Sequence, residues 1–327
     1  MNSLHRCFTI VAASCAAILI SSALFAGTPE ASPSPVASGS DEALPVLPQA
    51  NTSVPGVEFY RIKIEGTGPG RPMELDLYLP AGRHDAKSLP CVFIAPAGTG
   101  QHGAVFEDGD RVEHFPYVKA GFAVMAYDLS GPLADPHKDS YTYGDMMGPV
   151  ARFMEADGGL INGRTAIDYV LKRVPEVDPA QLYACGHSSA ATVALNLARG
   201  DARIKACCAY APQVDVEKWW SNAPKMDKFV PGYKDFPAKK SPLRHVADFN
   251  CPVYLFHADD DSQIPMADMQ AFVAAMQAAG KKITFDRVAT GDHYQSMIDH
   301  GIAGGIKFME SVGAKPLPPV VKDTASH

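Results

Sequence analysis

From about residue 56 onward, short apolar runs recur along the chain, and longer stretches of helical spacing fill the gaps between them. Residues 57–64 and 74–79 alternate apolar and polar positions, which predicts two half-buried strands forming an antiparallel opening pair. The runs at 91–95, 122–127, 182–185, 206–211, 253–257 and 283–288 are short and apolar, which suits strands covered on both faces. Between them, 160–174, 189–199, 266–279 and 294–312 carry apolar residues at helical spacing, and Gly280 stops the third of these. Strands alternating with helices imply a mostly parallel sheet of about eight strands between two helical layers, a three-layer α/β/α sandwich. One catalytic domain over residues 56–315 accounts for the pattern, with a short tail at 316–327.

Residues 212–248 break the rhythm. Trp219, Trp220, Met226, Phe229, Tyr233 and Phe236 stand there among Lys, Pro and Asp, as an insertion between two strands. Such a segment either walls a substrate pocket, which would suit a hydrophobic or aromatic group, or is a packed surface excursion.

Composition narrows the class. With 327 residues and 46% hydrophobic content the chain can bury a large core, and a disordered or collagen-like protein is excluded. A formal charge of −7 argues against a nucleic-acid partner. Residues 1–6 are weakly basic and 7–26 are apolar, so 1–26 is expected to be a signal peptide for secretion or the periplasm. The alternative is an uncleaved anchor, since about 20 apolar residues can just span a bilayer. No comparable run follows, so no membrane contact is expected after cleavage. Residues 27–55 have a Pro/Ser-rich linker composition. Asn51-Thr52-Ser53 fits a glycosylation acceptor.

Beyond the leader, Cys91, Cys185, Cys207, Cys208 and Cys251 all sit in apolar, strand-like runs. They read as small core residues, with a single bridge between neighbouring strands left open. No zinc-ligand spacing occurs, and neither metal nor organic cofactor is expected.

The strongest chemical signal is Gly186-His187-Ser188-Ser189-Ala190, placed where a strand ends and a helix begins. A serine on such a turn is forced outward and needs small neighbours, which Gly186 and Ala190 supply. The following helix N-terminus brings backbone N–H groups to a developing oxyanion. The competing reading is a serine that caps an ordinary helix. Serine attack requires a base and an acid that orients it, in the chain order Ser, Asp or Glu, His. Asp259, Asp260 and Asp261 follow the strand at 253–257 and compete for the acid role. His293 is the histidine in the loop after the strand at 283–288, and is the expected base. His300 lies inside the following helix, His187 flanks the serine under the turn, and nothing orders His102 or His114.

The loop after the first buried strand reads Pro96-Ala97-Gly98-Thr99-Gly100-Gln101-His102-Gly103. One N–H from it, with that of Ser189, would bind the oxyanion, Gly98 being the first choice and Ala97 the second. The same glycines spell Gly98-x-Gly100-x-x-Gly103, and Asp128 ends the next strand, as in a dinucleotide fingerprint. That reading is set aside: the strand is not the first of the sheet and no helix obviously opens after the glycines.

On these residues the chain resembles the α/β-hydrolase superfamily over roughly residues 56–312. Its closest likeness is to the dienelactone hydrolase and prolyl-oligopeptidase-like branch. Ser241-Pro242-Leu243, Cys251-Pro252-Val253-Tyr254-Leu255-Phe256-His257 and Asp261…Ile264-Pro265 look like that branch's acid-strand segment. The branch places its acid four residues before the proline, which implies Asp261, with Asp259 as fallback. Gly291-Asp292-His293 resembles its base motif. His257 departs from the glycine usual at that strand end, Ala190 from the second elbow glycine, and Pro96-Ala97-Gly98 from the common oxyanion motif. Peptidases of the branch carry a propeller before the hydrolase domain, and only a leader and linker precede it here. The expectation is therefore a serine carboxylesterase acting on a small-molecule or polymer ester, with a peptidase or amidase using the same triad as the alternative. A non-catalytic binding protein on the same scaffold is a further alternative.

Overall fold

The computed structural model describes residues 44–316 apart from 53, 66–71, 99 and 221–225. The expected signal peptide at 1–26, the linker at 27–43, Ser53 of the glycosylation triplet and the tail at 317–327 lie outside the described residues.

In chain order the strands are β1 (Val57–Ile64), β2 (Met73–Pro80), β3 (Leu89–Ile94), β4 (Ala123–Tyr127), β5 (Val177–His187), β6 (Ile204–Tyr210), β7 (Val253–Ala258) and β8 (Ile283–Val288). They form one eight-stranded sheet in the order β1-β2-β4-β3-β5-β6-β7-β8. β1 pairs with β2, and β2 with β4, antiparallel. The remaining pairs are all parallel. The inner strands β3, β4 and β7 are buried at every position, as their unbroken apolar runs require.

The helices are α1 (Arg111–Lys119), α2 (Tyr143–Glu155), α3 (Leu160–Arg173), α4 (Ser188–Gly200), α5 (Val216–Trp220), α6 (Phe236–Lys240), α7 (Met266–Ala278) and α8 (Ile302–Ser311). Two apolar clusters cover the two faces of the sheet. One contains α3, α4 and α7 residues such as Ile167, Leu195 and Phe272; the other contains Tyr117, Phe308 and Met309 of α1 and α8.

Three features depart from the sequence expectation. α1 and α2 were not legible, because each carries an internal proline (Pro116 and Pro149) that obscures the helical pattern. α2 starts instead from a capping box, in which Thr142 accepts the Asp145 N–H and Asp145 accepts that of Thr142. The last helical segment, helical from residue 295, carries a π turn at Met297–Gly301 before α8. The folded body also extends N-terminally of residue 56: Leu44 and Leu47 pack on the core, and Asn51 bridges Phe59.

Candidate active site

β5 runs straight into α4, and Ser188 sits at the junction with φ +55, in the left-handed region where a side chain is strained. Gly186 makes this junction possible. A Cβ there would lie 2.5 Å from the Ala190 carbonyl oxygen and 2.6 Å from its carbon, so only glycine lets the helix pack this close to the strand. Ser188 is half-buried, whereas Ser189 and Ala190 are buried beneath it.

The loops after β7 and β8 meet beside this junction. His293 Nδ1–H donates to Asp261 Oδ2 at 2.9 Å, which leaves Nε2 of the ring as the basic atom. Asp261 is sealed, with 1% of its side chain exposed against 15% for His293. Asp261 Oδ1 also accepts the backbone N–H groups of Gln263 and Ile264, both at 2.8 Å. Burial pushes this carboxyl up, but the His293 and backbone hydrogen bonds outweigh it and hold it below the usual carboxylate range.

The other two aspartates have different work. Asp259 pairs with Arg287 at the surface. Asp260 accepts the N–H groups of Gly291 and Asp292 at 3.2 and 2.9 Å, and Asp292 in return accepts that of Ser262 at 2.8 Å. The loops after β7 and β8 are thus laced together through backbone donors. Sequence alone leaves the three aspartates competing for one role; the lacing by Asp260 joins segments about 30 residues apart and leaves no local trace.

The pattern of the prolyl oligopeptidase family matches residues 164–309, a span that contains Ser188, Asp261 and His293. Solved structures match over the sheet and its helices. An acetyl xylan esterase from Paenibacillus sp. R4 superposes with a TM-score of 0.60 at 16% identity, over 80% of this chain and 87% of that one. The chain has the α/β-hydrolase fold and, over residues 164–309, is similar to the prolyl oligopeptidase family. A thermophilic esterase from Thermogutta terrifontis, solved with propionate bound, is 19% identical with a TM-score of 0.57, over 81% and 97% of the two chains. An acylaminoacyl peptidase in complex with a chloromethyl ketone is 15% identical with a TM-score of 0.57, but is matched over only 41% of its own length. No curated protein sequence matches the chain.

His187 does tuck under the turn at Ser188. Burial pushes its imidazole down to about 3, so the ring is neutral, and its Nε2–H donates to the His293 carbonyl oxygen at 2.8 Å. The two rings lie 4.5 Å apart, and Tyr294 packs edge-on to His187 at 5.6 Å. Tyr294 hydrogen-bonds Glu113, whose carboxyl is raised to about 7 by burial and by the nearby charge of Asp110. His300 is exposed, His102 bonds the Gly103 carbonyl, and His114 is buried between the rings of Tyr78 and Phe106.

Gly98 is placed differently from the expectation. Its N–H donates to Ser189 Oγ at 2.7 Å, because the Ser189 hydroxyl fills the space at which that donor is aimed. The Ala97 N–H makes no hydrogen bond among the described residues. Gly100 and Gly103 keep this loop close to its neighbours. A Cβ on Gly103 would lie 2.1 Å from the Ser130 carbonyl oxygen. Among the described residues no helix opens between β3 and Asp108, so the glycines there do not present a helix N-terminus to a pyrophosphate.

The insertion at 212–248 packs on the main core, where Phe236 meets Phe153 of α2 edge-on at 6.3 Å. Trp220, Tyr233 and Phe236 interlock at 4.6 and 5.4 Å from the indole, while Phe229 is exposed. It touches the loop after β3 through backbone acceptors: Gln101 Nε2 donates to the Trp219 carbonyl at 2.8 Å, and Trp220 Nε1 to that of Gly100 at 3.3 Å.

Proposed function

We propose that this serine hydrolase cleaves carboxylic esters through an acyl-enzyme on Ser188. The observation that carries the reading is the Asp261–His293 couple at 2.9 Å beside a serine held at φ +55 on a strand–helix turn. His293 Nε2 takes the Ser188 proton as Oγ attacks the carbonyl, then gives it to the leaving alkoxide. In the second half-reaction His293 activates water, and the acyl group leaves Ser188 as a carboxylic acid. Asp261 keeps the proton on Nδ1 and offsets the imidazolium charge. The carbonyl oxygen, on becoming an oxyanion, is met by the N–H of Ser189 and that of Ala97, since the Gly98 N–H is taken up by Ser189 Oγ.

No hydrogen bond joins Ser188 Oγ to His293 among the described residues. Catalytic hydrogen bonds of this kind tighten when substrate binds. Esterases matched over nearly their whole length support an ester substrate, and the segment at 1–26 supports action outside the cytoplasm. The family pattern favours one second reading, a peptidase using the same three residues.

The test is turnover of p-nitrophenyl acetate beside a dipeptide amide, with wild type and Ser188→Ala. Ester hydrolysis lost in Ser188→Ala supports the proposal. Unchanged turnover in Ser188→Ala sinks the mechanism, and amide cleavage outrunning ester cleavage moves the chain to the peptidase reading.

A further inference from the structure

Gln213 follows β6 and is clamped to the nucleophile helix by its backbone. Its N–H donates to Thr192 Oγ1 at 3.1 Å, and Thr192 Oγ1–H donates to its carbonyl at 3.0 Å. Ala211, at φ +47, turns the chain just before it. The side chain crosses to the oxyanion loop. A Cβ placed on Gly100 would lie 2.8 Å from Gln213 Oε1 and 3.4 Å from Ser189 Cβ. The residue is 7% exposed, yet its side-chain amide makes no hydrogen bond among the described residues.

This primary amide offers two donors and an acceptor, and its polar atoms keep access to solvent, so a ligand that covers it must pair them or leave them unsatisfied. This one lies against Gly100 and Ser189, the two segments that embrace a carbonyl attacked by Ser188. We propose that Gln213 is a specificity-determining residue whose side-chain amide hydrogen-bonds a polar oxygen of the substrate next to the scissile carbonyl. The enzyme then selects hydroxy- or alkoxy-substituted esters over plain alkyl esters of the same size. The reason is asymmetric: an oxygenated substrate pairs the amide, whereas an alkyl group buries it unpaired. This inference rests on the esterase reading above.

Two pairs of esters matched in size test it. p-Nitrophenyl methoxyacetate against p-nitrophenyl butyrate exchanges one methylene for oxygen on the acyl side. 2-Hydroxyethyl acetate against propyl acetate exchanges a methyl for a hydroxyl on the alcohol side. In Gln213→Met, kcat/KM for the oxygenated member of at least one pair is expected to fall on the order of tenfold, the worth of about one hydrogen bond. The alkyl member should stay within about twofold. Gln213→Leu serves as a second variant, and fluorophosphonate labelling of Ser188 confirms an intact nucleophile in either. Four rates that fall together, or four that do not change, overturn the role of Gln213 while leaving the esterase intact. If the wild type hydrolyses none of the four, the esterase reading itself falls and takes this inference with it.

Discussion

His257 Nδ1 lies 3.5 Å from the Asp261 carboxylate, with both side chains sealed from solvent. The opposite ring nitrogen of His257 donates to the Ile264 carbonyl at 3.0 Å. Burial lowers the basicity of this imidazole, so Nδ1 carries no proton and makes no hydrogen bond to the carboxylate. His257 thus props the loop that carries Asp261 without competing for the oxygen that holds His293.

His257→Leu should therefore act on the fold of the acid loop. It leaves the Ile264 carbonyl without its donor, a loss of roughly 1–3 kcal/mol for a buried acceptor. Urea denaturation should show a lower midpoint with an unchanged m-value. An undiminished midpoint would remove the propping role.

Asp261→Asn keeps the size of the side chain but presents an amide to His293. The ring then loses the tautomer that puts its lone pair on Nε2. A loss of about 10³–10⁴-fold in kcat is expected by analogy with Ser-His-Asp enzymes. Asp259→Asn, at the surface pair with Arg287, should stay near wild type. Comparable losses in the two variants would mean that the acid has been misassigned.

Gly186→Ala tests the strand–helix junction. The added methyl meets the Ala190 carbonyl at 2.5 Å, and backbone cannot yield there without moving α4. Overpacking of this kind costs about 1–3 kcal/mol. The activity loss should exceed what that stability change explains, because Ser188 moves with the helix. A variant as stable and active as wild type would show that the contact relaxes freely.

Glu113 provides a pH test. Its carboxyl is raised from 4.5 to about 7 in the folded protein, first by burial and then by Asp110. The native state then binds the proton more tightly than the unfolded chain. Stability linked to this group is complete below about pH 4.5 and is lost as pH rises through about 7. Glu113→Gln cannot ionise and still accepts from Tyr294. Its Tm should exceed that of wild type at pH 8, by roughly 1–3 kcal/mol of stability, and the gap should close by pH 4.5. A gap independent of pH would rule out titration of Glu113 as its source.

The strands, the strand–helix turn at Ser188 and the loops after β7 and β8 that carry Asp261 and His293 were legible because each is written locally. An apolar run of strand length, or a glycine two residues before a serine at a strand end, constrains the backbone within a few residues. Leu44, Leu47, α1 and α2 escaped that reading because tertiary packing, with an internal proline in each helix, overrides their local pattern. The division of labour among Asp259, Asp260 and Asp261 is of another kind. Sequence by itself placed three identical carboxyls in one loop, and a likeness to known hydrolases selected one of them. Only the tertiary structure distinguishes them physically, since Arg287, the Gly291 and Asp292 N–H groups, and His293 approach from another segment. The pairing of Gly98 with Ser189 and the placing of Gln213 over Gly100 were decided in the same way. Hydrogen bonds depend on distance through space, and residues 30 or 90 positions apart acquire one only once the sheet has brought its loops together.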